Sequence, residues 1–199
     1  MTTTAQLVSA RQRAARRITD ILQPMHVLLA GLTGIGAASA GTWSGAAWGL
    51  FAAVFAGVVP ASYINWERKR GTWGDRHVVD RSQRRPIFLV ILASIGVALA
   101  VMLPAHAPRD VVVAMVALWA MTVGLLAVND GSKWKISVDA AVASSVVTML
   151  AVVHTPWWTL AYSLVALVCW TRTALSYHTI AQTAAGSALG TATATLWLL

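Results

Sequence analysis

Residues 66–86 read WERKRGTWGDRHVVDRSQRRP, the longest polar stretch in a chain that is otherwise mostly apolar. The stretch contains three of the seven acidic residues and seven of the fifteen lysines and arginines. The apolar runs on both sides are long enough to cross a bilayer, which takes about 20 residues of helix. We therefore interpret residues 66–86 as a charged loop between two membrane spans, acting both as a topological anchor and as part of an anion site.

The composition of the whole chain agrees with this interpretation. Its 199 residues have a mean hydropathy of +0.65, and only 11% are charged, whereas soluble domains carry roughly 25%. The net charge of +8 does not indicate nucleic-acid binding, because the basic residues flank apolar runs and do not follow one soluble face. With Cys169 as the single cysteine, neither an internal disulfide nor a cysteine-based metal site is available.

The apolar runs on either side of the loop predict an all-α, polytopic transmembrane helix bundle. Residues 1–24 are predicted to form a cytoplasmic amphipathic arm lying on the membrane surface, because arginines alternate there with apolar residues. Residues 25–199 form the membrane domain, with six or seven helices and seven favoured. The predicted spans are 25–43, 45–64, 87–103, 111–128, 136–153, 159–170 and 179–199.

The distribution of charge predicts the orientation of these spans. The N-terminal arm and the loops at 66–86, 129–135 and 171–178 fall on one side, which carries fourteen of the fifteen lysines and arginines; Arg109 falls on the other. Because basic residues collect in cytoplasmic loops, we expect a multi-pass plasma-membrane protein with its polar, active face in the cytoplasm.

The three polar loops bring candidate site residues to that face. Several cations together with a hydroxyl and an imidazole are typical of a phosphate site, because arginine binds two oxygens at once and lysine adds a point charge. Asp139 lies within an apolar run, where acidic residues are functional candidates; alternatively, it is an interfacial residue paired with Lys135. The candidates are Arg76, His77, Arg81, Arg84, Arg85, Lys133, Lys135, Ser137, Asp139, Arg172 and His178.

These residues resemble the motifs of the type 2 phosphatidic acid phosphatase superfamily, in its compact actinobacterial membrane form. The family pattern is Lys-x6-Arg-Pro, then Pro-Ser-Gly-His, then Ser-Arg-x5-His-x3-Asp. Here Arg84-Arg85-Pro86 matches the end of the first element, with His77 where the lysine would stand. The second element is non-standard and reads ISVD at 136–139. The third reads TRTALSYHTIAQ at 171–182 and keeps the spacing from arginine to histidine.

The resemblance, which covers roughly residues 66–190, implies a role for each matching residue. His178 would be the nucleophile that takes the phosphoryl group, and Ser137 would donate a hydrogen bond to the phosphate. Asp139 stands where the family has the histidine that protonates the leaving group. Gln182 replaces the aspartate that orients the nucleophile, and it can still accept from an imidazole N–H. The phosphate oxygens would be held by Arg172, Arg84 and either His77 or Arg81.

The substitution at Asp139 leaves three functions open. The first is a phosphohydrolase without a metal cofactor, acting on an isoprenyl diphosphate or other lipid phosphate whose tail lies between the helices. The second is a terpene cyclase or lyase that ionises an allylic isoprenyl diphosphate, with aromatic rings shielding a carbocation and with Mg²⁺ on oxygen ligands drawn from Asp75, Asp80, Asp130 and Asp139. The third is a lipid-phosphate binding or transport protein that has lost its chemistry.

Overall fold

The computed structural model describes residues 10–71, 84–132 and 134–195, and within these ranges it contains helices and no strand. This confirms the all-α fold class. The helices are α1 (Ala10–Ile21), α2 (Pro24–Ala40), α3 (Trp43–Lys69), α4 (Arg84–Met102), α5 (Arg109–Gly131), α6 (Val138–Val153), α7 (Tyr162–Ala174) and α8 (Ile180–Thr195), with a short 3₁₀ turn at Pro156–Ala161.

Three of the described helices are long and apolar enough to cross a membrane, namely α3, α4 and α5. A fourth span results if α1 and α2, which meet at a bend of 44°, are taken together. The remaining helices have 16, 13 and 16 residues, short of the roughly 20 that a full span requires. The chain is therefore consistent with a membrane protein, but the predicted six or seven spans are not confirmed.

Helix α6 lies at the centre of the bundle, with every residue from 140 to 150 buried. Its alanines, serines and valines allow neighbouring backbones to come close, as at many membrane-helix interfaces. The closest approach is to α8, where a Cβ on Gly186 would collide with the Ser137 carbonyl and one on Gly190 with the Ala141 carbonyl. The Ser144 hydroxyl also donates to the Ser187 carbonyl at 2.9 Å, which ties the two helices together.

Helices α2 and α3 form a second close pair. Gly41, at a φ of 59°, ends α2, and the Thr42 hydroxyl caps α3 by accepting from the Gly45 N–H at 3.4 Å. A Cβ on Gly36 would collide with the Gly45 carbonyl, and one on Gly49 with the Leu32 carbonyl. Glycine at these positions therefore lets the two helices pack backbone to backbone.

Helix α3 contains a π-helical turn at Val54–Val58. Pro60 has no N–H, so it cannot donate to the carbonyls four and five residues earlier. The Ser94 hydroxyl of α4 instead donates to the Phe55 carbonyl at 2.6 Å. The π turn is thus connected to α4, and two of its residues, Ala56 and Gly57, line the main cavity described below.

Helix α1 packs against α7 and buries Ala15 and Thr19. The Arg11 guanidinium lies 6.0 Å from the centre of the Trp170 ring. The basic side chains Arg13, Arg16 and Arg17 remain exposed. One side of α1 therefore contacts another helix of the bundle, and the amphipathic arm on the membrane surface stays a prediction.

Candidate functional site

Three segments that are far apart in the sequence meet at one end of the bundle. The Arg84 guanidinium, at the start of α4, donates to the Ile136 carbonyl at 3.2 Å. The Lys135 ammonium donates to the Tyr177 carbonyl, also at 3.2 Å. The backbone N–H of Ser137 donates to the Gln182 carbonyl at 3.1 Å. These bonds bring the start of α4, the segment before α6 and the turn before α8 into one cluster.

The turn between α7 and α8 places Arg172 and His178 side by side. After α7 ends at Ala174, the chain reverses through Ser176, which has a φ of 57°. The backbone N–H groups of Tyr177 and His178 then both donate to the Arg172 carbonyl, at 3.0 and 3.3 Å. The five residues between the arginine and the histidine therefore form the C-terminal turn of α7, which brings His178 next to Arg172.

The His178 imidazole is held in one tautomer. Its Nδ1 lies 3.3 Å from the Lys135 carbonyl oxygen, and a carbonyl can only accept, so Nδ1 carries the proton. Nε2 of the neutral ring then carries the lone pair. Burial, followed by the positive charges of Arg84 and Lys135, lowers the pKa of His178 to about 4 against the weaker opposing effect of Asp139. The ring is therefore neutral at pH 7.

Arg172 and Asp139 form an ion pair within the bundle. Nη2 of Arg172 lies 3.0 Å from Oδ1 of Asp139, and the two side chains are 2% and 16% exposed. Asp139 also lies in the first turn of α6, where the positive end of the helix dipole favours a carboxylate. The sequence suggested Lys135 as the alternative partner of Asp139, whereas the ion pair in the structure is with Arg172.

The cluster carries an excess of positive charge. Arg84, Lys135 and Arg172 are three cations, and Asp139 is the one carboxylate among them, so the described members sum to a charge of +2 at neutral pH. Burial and the neighbouring Arg84 lower the pKa of Lys135, with Asp139 opposing. Positive charges this close and partly buried favour a bound anion, which would relieve their repulsion.

Ser137 and Gln182 act as helix caps. The Ser137 hydroxyl is fully buried and accepts from the Ala140 N–H at 3.3 Å, which caps α6. The Gln182 side-chain carbonyl accepts from the Thr179 N–H at 3.0 Å, while the Gln182 N–H donates to the Thr179 hydroxyl at 3.3 Å. This reciprocal pair is a capping box at the start of α8. The contact expected between Gln182 and the imidazole is thus replaced by one to Thr179.

Arg85 and Asp130 lie apart from the buried cluster. Their side chains are 69% and 41% exposed, with 3.5 Å between Nε and Oδ2. Among the site residues predicted from the sequence, a further set lies outside the described ranges: Asp75, Arg76, His77, Asp80, Arg81 and Lys133. The described part of the site therefore consists of Arg84, Lys135, Asp139, Arg172 and His178.

A cavity of about 400 Å³ opens beside this cluster, between helices α2 to α6. Arg84 and Asp139 belong to its wall, so the cavity reaches two members of the cluster. The rest of the wall is mostly apolar and includes Leu28, Ala56, Ile87, Phe88, Ile91, Ile95, Leu118, Met121 and Leu125. Sequence reasoning expected a lipid tail between the helices but did not locate a cavity, although Gly57 and Pro60 within one apolar run are a signal of irregular helix geometry.

The described residues contain no group of three or more histidine, cysteine or acidic side chains that could hold a metal ion. Asp130 and Asp139, the two described candidates for a magnesium site, are each ion-paired with a different arginine. The described residues therefore do not by themselves form a site for Mg²⁺.

Comparison with known proteins adds no family to this description. No family model matches the chain, and no curated protein and no solved structure matches it.

Proposed function

We propose that the protein is an integral membrane phosphohydrolase that acts on an isoprenyl diphosphate or another lipid phosphate, with His178 as the nucleophile. The observation that carries this proposal is the hydrogen bond from Nδ1 of His178 to the Lys135 carbonyl. With its proton on Nδ1, the neutral imidazole has a free lone pair on Nε2, and the ring lies among the three cations of the cluster. An imidazole oriented by a partner at its other nitrogen is a typical activated nucleophile.

The proposed hydrolysis has two steps. Nε2 of His178 attacks phosphorus and the bond from phosphorus to the leaving oxygen breaks, so a phosphoryl group is transferred to the imidazole. Water then attacks the phosphohistidine, which releases phosphate and restores the ring. Arg84, Lys135 and Arg172 supply positive charge where negative charge develops on the phosphoryl oxygens, and such stabilisation is a large contribution to phosphoryl transfer.

The ion pair of Asp139 favours a diphosphate as substrate. A carboxylate engaged by Arg172 at 3.0 Å carries no proton to give to a leaving group. Cleavage of a lipid monophosphate expels an alkoxide, which needs such a proton. Cleavage of the terminal phosphate from a diphosphate expels a phosphate anion, which is stable without one. An isoprenyl diphosphate is therefore the substrate class that suits this site best.

A membrane location fits both the substrate and the helices that could span a bilayer. The cationic cluster lies at the end of the bundle where α3 and α5 end and α4 begins. The rule that basic loops face the cytoplasm favours the cytoplasmic leaflet of the plasma membrane for that end. A lipid substrate would then reach the site from the leaflet that contains it.

The test is phosphate release from farnesyl diphosphate by purified protein in nanodiscs, in the presence of a chelator. We expect turnover in the original chain and a loss of at least about 10³-fold in His178→Ala, as for a removed nucleophile. His154→Ala is the matched control, because that histidine is exposed at the end of α6 away from the cluster. Equal activity of His178→Ala and the original chain would contradict the proposal.

The same preparations, assayed again with Mg²⁺ in place of the chelator, test the other two functions. Mg²⁺-dependent hydrocarbon or terpene alcohol products that survive His178→Ala but not Asp139→Ala would favour the cyclase. Binding of lipid phosphates without turnover would favour the binding or transport protein.

A further inference from the structure

The cavity beside the cluster has a charged end and an apolar end. Along α4 its wall is formed by a single helix face that begins at Arg84 and continues inward to Ile95. Eleven residues of helix span about 16 Å at 1.5 Å per residue. The cavity therefore extends well below the charged cluster.

The lining residues that lie farthest from the charged cluster include large buried side chains. Ile95 of α4 and Leu118 of α5 are 1% and 2% exposed and both line the wall. Leu118 lies seven residues before Leu125 on a helix that runs towards the cluster, so it lies about 10 Å deeper along the axis. Ala56 and Gly57, in the π turn of α3, are small residues on this part of the wall.

We propose that this cavity holds one hydrocarbon tail of an anionic lipid, and that Ile95 and Leu118 set the longest tail that fits. The identity of the headgroup, a phosphate or diphosphate, rests on the proposed function. Arg84 lines the charged end of the cavity, where this headgroup would lie. Asp139 at that end is compensated by Arg172 at 3.0 Å, so it does not repel an anion. The volume of about 400 Å³ is near the lower limit of the roughly 300–1,000 Å³ of small-molecule pockets, which suits one tail and not two.

Tail length affects the affinity through the fit of the tail to the cavity. A tail in the bilayer is already in an apolar environment, so its transfer into the cavity alone gives no gain in free energy. Tails shorter than the cavity leave part of it empty. Tails longer than the cavity meet Ile95 and Leu118 and must bend. One methylene group too many in a closed apolar pocket costs about tenfold or more in affinity, so affinity passes through a maximum as the tail is lengthened.

Binding can be tested separately from turnover with alkyl phosphonates, in which the carbon–phosphorus bond resists hydrolysis. We would measure dissociation constants for a series from octyl to octadecyl phosphonate, with protein in nanodiscs. We expect a maximum at an intermediate length, followed by a fall of about tenfold. A dissociation constant that improves steadily up to the longest tail would overturn the proposal.

Two variants should move the maximum in opposite directions. Ile95→Ala deepens the cavity, so the first tail that is too long for the original chain should regain about tenfold in affinity. Ala56→Leu fills part of the cavity and should move the maximum to shorter tails. A variant that had only lost its fold would weaken every tail equally, so the opposite shifts identify the cavity. Val97→Ala, on α4 at a side chain 54% exposed, is the matched control and should leave the maximum in place.

Phosphate release from prenyl diphosphates of different tail lengths, measured in the same samples, distinguishes the cavity proposal from the hydrolase proposal. A length maximum that responds to Ile95→Ala without any phosphate release would retain the cavity proposal and end the hydrolase proposal. Phosphate release with no length dependence, or with the same dependence in Ile95→Ala and Ala56→Leu, would retain the hydrolase and end the cavity proposal.

Discussion

Nη2 of Arg172 and Oδ1 of Asp139 are 3.0 Å apart, and the arginine is almost completely removed from solvent. The pair joins the C-terminal end of α7 to the first turn of α6, the central helix. Two charges in such surroundings are stable together and costly apart, because each compensates the desolvation of the other. The same pair that orders the site therefore also withdraws Asp139 from acid catalysis.

Asp139→Asn should destabilise the protein by about 3–5 kcal/mol, the usual cost of removing one partner from a buried ion pair. The measurement is the free energy of unfolding in mixed micelles. Asp130→Asn is the matched control, because its partner Arg85 is 69% exposed and exposed pairs contribute about 0–1 kcal/mol. Equal losses in the two variants would show that the Arg172 pair is solvated in the native protein.

Stability should fall as the pH is lowered from about 6.5 to about 4. The pKa of His178 is lowered to about 4 in the folded protein, so between these values the unfolded chain binds a proton that the folded chain does not. Stability therefore rises with pH across this window and levels off on either side. The full change is at most about 3 kcal/mol, from 1.36 kcal/mol per pKa unit.

Unfolding measured at pH 4, 5, 6 and 7 would show this effect. His178→Gln should remove the corresponding part of the slope, while His154→Gln, at an exposed position, should retain it. A slope unchanged in His178→Gln would mean that the imidazole is solvated and charges normally.

Farnesyl diphosphate should be hydrolysed at least about 10²-fold faster than farnesyl monophosphate. General acid catalysis typically contributes about 10²–10⁴-fold, and only the monophosphate depends on it. The measurement is the initial rate of phosphate release for both substrates in the same nanodisc preparation. Comparable rates would indicate that another group, such as Lys135, protonates the leaving oxygen.

Gly190→Ala should destabilise the bundle by about 1–3 kcal/mol, the usual cost of overpacking. The added Cβ would collide with the Ala141 carbonyl and the Ser144 hydroxyl, so α8 would have to move away from α6. Gly96→Ala is the matched control, because a Cβ there meets nothing within 4 Å and alanine favours the helix by about 0.5–1 kcal/mol. Unfolding free energies of the two variants should thus change in opposite directions.

Ser94→Ala should destabilise the protein by about 1–2 kcal/mol, because it removes the donor to the Phe55 carbonyl. Adding Pro60→Ala provides a backbone N–H within reach of that π turn, so the double variant should recover part of the loss. Ser163→Ala, at an exposed hydroxyl that bonds within its own turn, should change stability by less than about 0.5 kcal/mol. Additive effects of Ser94→Ala and Pro60→Ala would contradict the coupling.

Helices that pass a length and hydropathy test could be predicted from the sequence because those quantities are local. The apolar runs before and after residues 66–86 predicted α3 and α4, and the run at 111–128 predicted α5. The predicted count of spans is not confirmed, because α6 is apolar but has only 16 residues, and α7 and α8 do not pass the same test. Burial inside the bundle selects the same apolar residues as burial in lipid, so hydropathy alone does not separate the two environments.

The candidate site shows the same division. The spacing of the family resemblance indicated Arg172 and His178, and the position of an acidic residue within an apolar run indicated Asp139. Their partners could not be deduced. Arg172 pairs with Asp139, Gln182 caps α8, and Arg85 lies at the surface. These partners depend on how helices distant in sequence pack together, which the sequence pattern does not show.

By itself the sequence determined the helical, apolar character of this protein and the concentration of its basic residues in a few polar segments, because composition and period are carried by neighbouring residues. Only the tertiary structure decided that α6 is the central helix, that His178 donates to Lys135, and that an apolar cavity opens next to Arg84. Those features come from glycine-mediated close packing and from a helix with a π turn next to a proline. Both act through contacts between helices that are distant in sequence.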